Sequence, residues 1–420
     1  MEELARESIR SISLLYKPAR GTEAAPRLGS FGGSFHHAEV ALGAGLLNFP
    51  WAFEKAGGVF SPSQVSLIFL ISGLVILGYA SSISRQNTYH DVVREVCGRR
   101  IGYLCEICYV FNLFMISVAF LVVVQDQLEK LCLSLYEMAT GATVMQHHWY
   151  TDQSVALFIV CLVIILPLSI PREISIQKYT SVLGTLAATY LGVAVIVKYY
   201  LNEEHNADLR PQLDSWASMF SVVPTICFGF QCHEACIAIY SSMENKKISH
   251  WVFISVVSMI FCLLIYTLTG VFGFLTFGRS VASDILMSYP GNDVAMIIAR
   301  LLFGISIITV YPIILLLGLS SWRWCCVTRM LLTVLWIAVT LLIAVYVPDM
   351  SDVISVIGGI SAFFIFIFPG LCLIFAMQTE PLDHRLKMFL TGWGVITVVV
   401  GAFIFGQSTT VAVMEFTHKA

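Results

Sequence analysis

Gly43-Ala44-Gly45-Leu46-Leu47-Asn48-Phe49-Pro50 places two glycines and a proline inside an apolar run, where a membrane-crossing helix would be kept continuous. Pro224-Thr225-Ile226-Cys227-Phe228-Gly229-Phe230-Gln231-Cys232-His233 does the same far downstream. Proline removes a backbone donor, and glycine weakens a helix interior by about 1 kcal/mol relative to alanine. In hydrocarbon no water replaces a lost backbone partner, so such breaks survive at depth only beside protein, a cavity or a ligand. The two stretches are therefore expected to face each other around a small amphiphilic substrate.

The composition places them in a membrane. Of 420 residues, 57% are hydrophobic and 12% charged, against about a quarter charged in ordinary soluble domains. Such a chain cannot cover itself with a water-soluble surface. The net charge of −3 and the lack of a Lys/Arg-rich tract argue against a nucleic-acid partner. Most of the twelve cysteines lie in or beside apolar segments, as at Cys161, Cys262 and Cys372, where cysteine acts as a small hydrophobe and no disulfide framework is expected. The polar, mixed-charge start does not have the pattern of a cleaved signal peptide.

Apolar runs recur in eleven blocks: 38–56, 64–84, 103–131, 154–170, 179–201, 216–240, 250–277, 293–320, 329–347, 350–377 and 388–412. Each is near the roughly 20 residues that cross a bilayer as a helix. The reading is an all-α integral membrane protein of eleven transmembrane helices. It has an N-terminal tail over 1–37, one transmembrane domain over 38–413 and a short C-terminal tail over 414–420. With the N-terminus in the cytoplasm, 17 of the 24 Lys and Arg residues fall on that side, as the positive-inside rule requires. The opposite face is acidic, with Glu203, Glu204, Asp208 and Asp214 together. An odd number of spans leaves the C-terminus outside.

The broken stretches lie in blocks one and six, five apart. That offset suits two five-helix repeats of inverted topology with an eleventh helix appended, and paired broken helices point to a transporter's binding site. Half-helix N-termini can hold a carboxylate, while unwound carbonyls can hold a cation. The bland reading of membrane glycines is close helix packing, which suffices for Gly270 with Gly273 and for Gly358 with Gly359. In block six, Gln231, His233 and Glu234 add polar groups that are costly inside a span and point to function.

Both stretches, together with Ala56-Gly57-Gly58, Leu166-Pro167-Leu168-Ser169-Ile170-Pro171-Arg172-Glu173-Ile174 and Gly401-Ala402-Phe403-Ile404-Phe405-Gly406-Gln407, resemble the sodium-coupled neutral amino acid transporters of the amino acid and auxin permease group. The resemblance covers nearly everything after about residue 40. It implies a fold like that of the bacterial leucine transporter, with a 5+5 inverted repeat plus one helix. It also implies sodium-driven uptake of neutral L-amino acids such as glutamine and alanine by alternating access, at the plasma membrane or the lysosomal membrane, by a monomer in the lipid bilayer.

By that resemblance, substrate sits against the freed amides and carbonyls of Gly43, Ala44, Gly45 and Leu46, facing Phe228, Gly229, Phe230 and Gln231. Cys232 and His233 stand at the exit of the second break. The coupling Na+ would take the backbone carbonyls of Glu39 and Leu42 and the hydroxyls of Ser306 and Thr309, hard oxygen ligands for a hard cation. Ser306 and Thr309 lie three apart on one helical face. The competing reading is that membrane Ser and Thr hydroxyls bond their own backbone four residues back. Glu39 stands where many members of the family carry Asn. No organic cofactor is implied.

Other signals carry less. Cys232 and Cys236 share a helical face but His233 points away, a poor zinc set. Asp126, Glu129 and Lys130 form an i, i+3, i+4 charge cluster at the outer end of block three, and Trp149 and Tyr150 are interfacial anchors. No nucleophile elbow, P-loop or dinucleotide fingerprint is present, so an enzyme is not expected. An amino acid sensor that keeps the fold but transports slowly is the second class. A channel is disfavoured because no ring of acidic residues forms a filter.

Overall fold

Apolar runs satisfy their backbone in lipid by closing it into helices, and in this computed structural model helices joined by turns and short connections make up the described residues, 45–56, 61–140, 153–170, 177–201, 222–243, 246–320, 326–347 and 350–419. In chain order they are α1 (Gly45–Lys55), α2 (Ser61–Ser84), α3 (Tyr89–Cys97), α4 (Arg99–Thr140), α5 (Gln153–Val160), α6 (Leu166–Ser169), α7 (Gln177–Leu201) and α8 (Val223–Gly229). They continue as α9 (His233–Ser242), α10 (Ile248–Phe277), α11 (Ile285–Ser288), α12 (Val294–Ser320), α13 (Cys326–Tyr346), α14 (Met350–Ala362), α15 (Phe368–Thr379) and α16 (His384–Lys419). Eight stretches within them are long and apolar enough to cross a membrane, and Gln153–Ser169 is apolar but shorter. The expected positions Glu39, Leu42, Gly43 and Ala44, the tail 1–37, and Trp149 with Tyr150 lie outside the described residues.

The outer surface is what lipid would select. Large apolar side chains face outward, among them Ile68, Phe158, Leu331 and Val399, a surface that no aqueous monomer keeps over such an area. Polar side chains are gathered inside instead, including Asn48, Asn112, Gln127, Ser361 and Arg300, all at 0–1% exposure.

α4 is longer than its block predicts. Its 42 residues extend about 63 Å at 1.5 Å per residue, twice a roughly 30 Å hydrocarbon core. The expected block ends at 131, but no proline stops the helix there, and it continues through a mixed apolar and polar stretch over 132–140. A π turn over Phe363–Ile367 runs into α15, with Pro369 at that helix's second position. In the wider turn the Phe364 carbonyl would await a donor from residue 369, and proline has none. The Tyr89 hydroxyl of α3 fills that place, donating to the Phe364 carbonyl at 3.0 Å.

α2 is anchored from three sides. His233 of α9 bonds the Leu70 carbonyl through Nε2 at 3.0 Å, Trp393 of α16 donates to the Ser72 hydroxyl at 2.7 Å, and Trp251 of α10 donates to the Leu74 carbonyl at 2.8 Å. Around this frame α1 packs on α8 and α10, and α8 packs on α14.

Candidate functional site

The two stretches meet backbone to backbone, although from Gly45 onward the first is unbroken: α1 runs straight through Asn48 and Pro50, and the interruption expected there is not seen. Gly45 opens α1 and Gly229 ends α8, and a Cβ added to Gly45 would stand 2.6 Å from the Gly229 Cα. A Cβ on Gly229 would stand 2.4 Å from the Phe49 ring. No side chain fits there, so glycine at both positions is a requirement of close approach. The outer glycines also serve this contact. A Cβ on Gly358 of α14 would lie 2.2 Å from the Pro224 carbonyl, and one on Gly273 of α10 would lie 2.8 Å from the Pro50 ring. The packing expected for Gly273 and Gly358 is therefore packing against α1 and α8 themselves.

The break in the second stretch spans residues 230–232. α8 closes with the Phe230 N–H on the Ile226 carbonyl at 3.0 Å and the Gln231 N–H on the Phe228 carbonyl at 3.2 Å. α9 begins afresh at His233. The Gly229 carbonyl takes the Tyr266 hydroxyl of α10 at 2.6 Å. Phe49 stacks on the Tyr266 ring at 4.1 Å with 2° between planes, and Phe230 meets that ring edge-on at 4.8 Å. This aromatic trio holds α1, the break and α10 together. On the other side of α1, Asn48 donates Nδ2 to the Ser283 carbonyl at 2.8 Å and accepts the Thr225 hydroxyl at 3.2 Å.

Of the expected substrate residues, Gly45, Leu46, Phe228, Gly229, Phe230 and Gln231 lie in or beside this junction. Leu46 and Phe230 are fully buried and Phe228 nearly so, which makes their side chains packing groups here. Gln231 is half-buried. Its Oε1 accepts from the Ser361 hydroxyl of α14 at 2.5 Å; its Nε2 makes no hydrogen bond of ordinary length and lies beside Glu234. Cys232 and His233 at the exit are both buried.

The expected sodium oxygens are only half within the described chain. Ser306 is 7% exposed on α12. Thr309 donates to the Ile305 carbonyl at 2.9 Å and the Ser306 carbonyl at 2.8 Å, the backbone bonding left open by the sequence. A hydroxyl so engaged keeps lone pairs for a cation, so the arrangement is compatible with either reading.

Three participants escaped the sequence reading: Asn112 of α4, Tyr266 and Ser361. Asn112 donates to Glu234 at 2.6 Å, and an asparagine inside block 103–131 was the signal that could have found it. Nothing in the pattern marks Tyr266 or Ser361, whose roles depend on which helices adjoin.

Residues 28–414 match the family described as transmembrane amino acid transporter protein. The chain is 61% identical to the putative sodium-coupled neutral amino acid transporter 8 of Xenopus tropicalis, covering 100% of both chains. It is 56% identical to solute carrier family 38 member 8 of Homo sapiens, covering 95% of this chain and 97% of that one. It is 41% identical to sodium-coupled neutral amino acid transporter 7 of Danio rerio, covering 96% and 91%. Among solved structures, a mutant of the manganese transporter of Eremococcus coleocola aligns over 91% of both chains with a TM-score of 0.55 at 11% identity, which speaks to the fold alone. The broken, polar-lined junction inside an apolar shell and the match along nearly the whole chain lead to one assignment: this protein belongs to the transmembrane amino acid transporter family, a family of transporters and not of enzymes.

Proposed function

We propose that this protein takes up neutral L-amino acids, glutamine and alanine among them, as a sodium-driven secondary active transporter working by alternating access. The observation that carries the reading is the junction of Gly45 with Gly229, where α1 meets the end of α8 inside an apolar shell with backbone facing backbone. An amino acid's carboxylate needs N–H donors and its ammonium needs carbonyl acceptors. Unwound helix supplies both at once. Gly43, Ala44, Gly45 and Leu46 would form one wall, and the backbone of Phe228, Gly229 and Phe230 with Gln231 the other. Sodium, as co-transported substrate, would take the Glu39 and Leu42 carbonyls with Ser306 and Thr309. The relatives named as sodium-coupled neutral amino acid transporters support the ion and the substrate class.

The eight long spans, Gln153–Ser169, α1 and the interrupted pair α8–α9 support eleven crossings, read as a 5+5 inverted repeat plus one helix over 38–413. The N-terminal tail would lie in the cytoplasm and the C-terminal tail outside, in the plasma membrane or the lysosomal membrane, with a monomer as the working unit.

The deciding experiment is uptake of radiolabelled glutamine and alanine into proteoliposomes holding the full chain, with sodium present or replaced by choline. Gly45→Trp serves as the blocked control. Uptake that requires sodium and is lost in the control is expected; uptake equal to empty liposomes overturns the reading, and binding without flux would instead favour a sensor. Ser306→Ala is expected to raise the sodium concentration for half-maximal uptake with little change at saturation.

A further inference from the structure

Beside the junction, α9 carries a carboxylate that meets no counter-charge among the described residues. Glu234 sits in the first turn of α9, three residues beyond Gln231. Its Oε1 accepts from Asn112 Nδ2 at 2.6 Å, and the Gln231 amide lies next to the same carboxyl. Both neighbours are neutral. Among the described residues no Lys, Arg or His nitrogen stands within 4.0 Å of it.

The surrounding helices supply no cation either. The titratable groups that feel the charge of Glu234 are Tyr89 of α3 and Cys105 and Tyr109 of α4, phenols and thiols that carry no positive charge, and the further group on α4 that acts on Cys105 is a carboxyl, Glu106. Tyr79, the one titratable residue of α2, faces Glu380. The π turn Phe363–Ile367 has none. His233, next in the chain, directs Nε2 at the Leu70 carbonyl. On α3, His90 and Arg94 both face Asp91. Arg99 and Arg100 of α4 lie twelve or more residues before Asn112, about 18 Å along the axis.

Glu234 is half-buried, and an ionised carboxylate inside a span with only amide partners is costly, so a proton or a cation relieves it. The donor set argues against a metal cation. Asn112 presents an N–H to the carboxyl, whereas a hard cation wants that place filled by oxygen. No group of three or more His, Cys, Asp or Glu suited to a metal ion occurs among the described residues.

We propose that Glu234 binds and releases a proton in step with the transport cycle, with Asn112 as its positioning residue. The proton is exchanged with water: the carboxylic acid loses H+ to water on one side of the membrane when the site is open there, and the carboxylate takes H+ from water on the side where it next opens, before α9 closes against α4. The Asn112–Glu234 bond joins an intact span to a half-helix, so an alternating-access movement of α9 changes the donors around that carboxyl. This rests on the transport reading above and adds a proton to it.

The test uses the full chain in proteoliposomes, with wild type, Glu234→Gln and Asn112→Ala compared in two measurements. Infrared difference spectra taken across acid to mildly alkaline pH should show a carboxylic-acid C=O band in wild type that Glu234→Gln lacks. Uptake of radiolabelled alanine over the same range should change by about tenfold per pH unit on its sloping limb in wild type and vary less than about twofold in Glu234→Gln. Asn112→Ala keeps the carboxyl but loses a donor to its charged form, so its midpoint should move to higher pH. A purely structural role for Asn112 would lower uptake without moving the midpoint. An unaltered band or a wild-type pH profile in Glu234→Gln overturns the proposal; if that variant does not fold, an unmoved midpoint in Asn112→Ala does so. Absence of uptake by wild type would sink the transport reading, while the infrared band would still decide whether Glu234 holds a proton.

Discussion

Replacing Gly45 with alanine adds one carbon at the tightest point of the junction. Nonbonded carbons rest about 3.5–4.0 Å apart, and the new Cβ would begin 2.6 Å from the Gly229 Cα, so the helices must part by roughly 1 Å. The obstacle is backbone that cannot rotate away. It is held by the Tyr266 hydroxyl on the Gly229 carbonyl and by Phe49 stacked behind it. Overpacking of this kind costs about 1–3 kcal/mol. Alanine recovers at most about 1 kcal/mol of helix propensity. A net loss of about 1–2 kcal/mol in the closed arrangement corresponds to roughly 5–30-fold in an equilibrium. Initial-rate uptake, normalised to monodisperse protein, should therefore fall by that factor in kcat/KM. Gly392→Ala and Gly406→Ala are the controls, because a Cβ at either meets nothing within 4 Å. If Gly45→Ala transports as well as those controls, the steric reasoning is refuted.

Tyr266→Phe removes the donor from the Gly229 carbonyl and should destabilise the protein by about 1–3 kcal/mol, read as a lower melting temperature with the Phe49 stacking kept. Asn48→Ala strands both the Ser283 carbonyl and the Thr225 hydroxyl, and a loss of similar size is expected in thermal unfolding, whereas Asn→Ala at a solvent-exposed site would leave it unchanged. Burial pushes the Asp284 carboxyl, in the connection between α10 and α12, up to about 7, while the Leu286 N–H, Arg300 and Gln127 hold it down. An acid raised from its ordinary 3.8 binds its proton more tightly when folded. Its contribution to stability is therefore whole below about pH 4 and is lost as pH rises to about 7. The melting temperature of wild type should lose ground to that of Asp284→Asn across this window, and parallel curves would show that the carboxyl is not raised.

Much of this was legible because hydrophobicity sets the spans one residue at a time. Gly45 and Gly229 were singled out from local chemistry alone, and the structure places them in contact. What the sequence could not supply was adjacency. Asn112 and Glu234 are 122 positions apart, Ser361 and Gln231 are 130 apart, and no periodicity within one helix says which neighbour it will face. Thr309 shows a different limit. Helical spacing put it on one face with Ser306, but a hydroxyl one turn from a carbonyl always has its own backbone within reach, and here it uses it. The Gly278–Asp293 connection, with its 3-10 turn and α11, went unread because it is too short to carry a pattern and takes its shape from Asn48, Gln127 and Arg300.

The excess length of α4 has a practical use. A rod about 63 Å long cannot be concealed in a bilayer even when tilted, so part of it stands clear of the hydrocarbon. Toward its C-terminal end Cys132 is exposed with a free thiol, while Cys105 near the other end is buried. The helix thus carries its exposed thiol toward that end, Cys108 near the other end being only half-exposed. A membrane-impermeant maleimide applied to intact cells would mark Cys132 if that end faces outward, giving a readout of sidedness without any engineered cysteine or epitope.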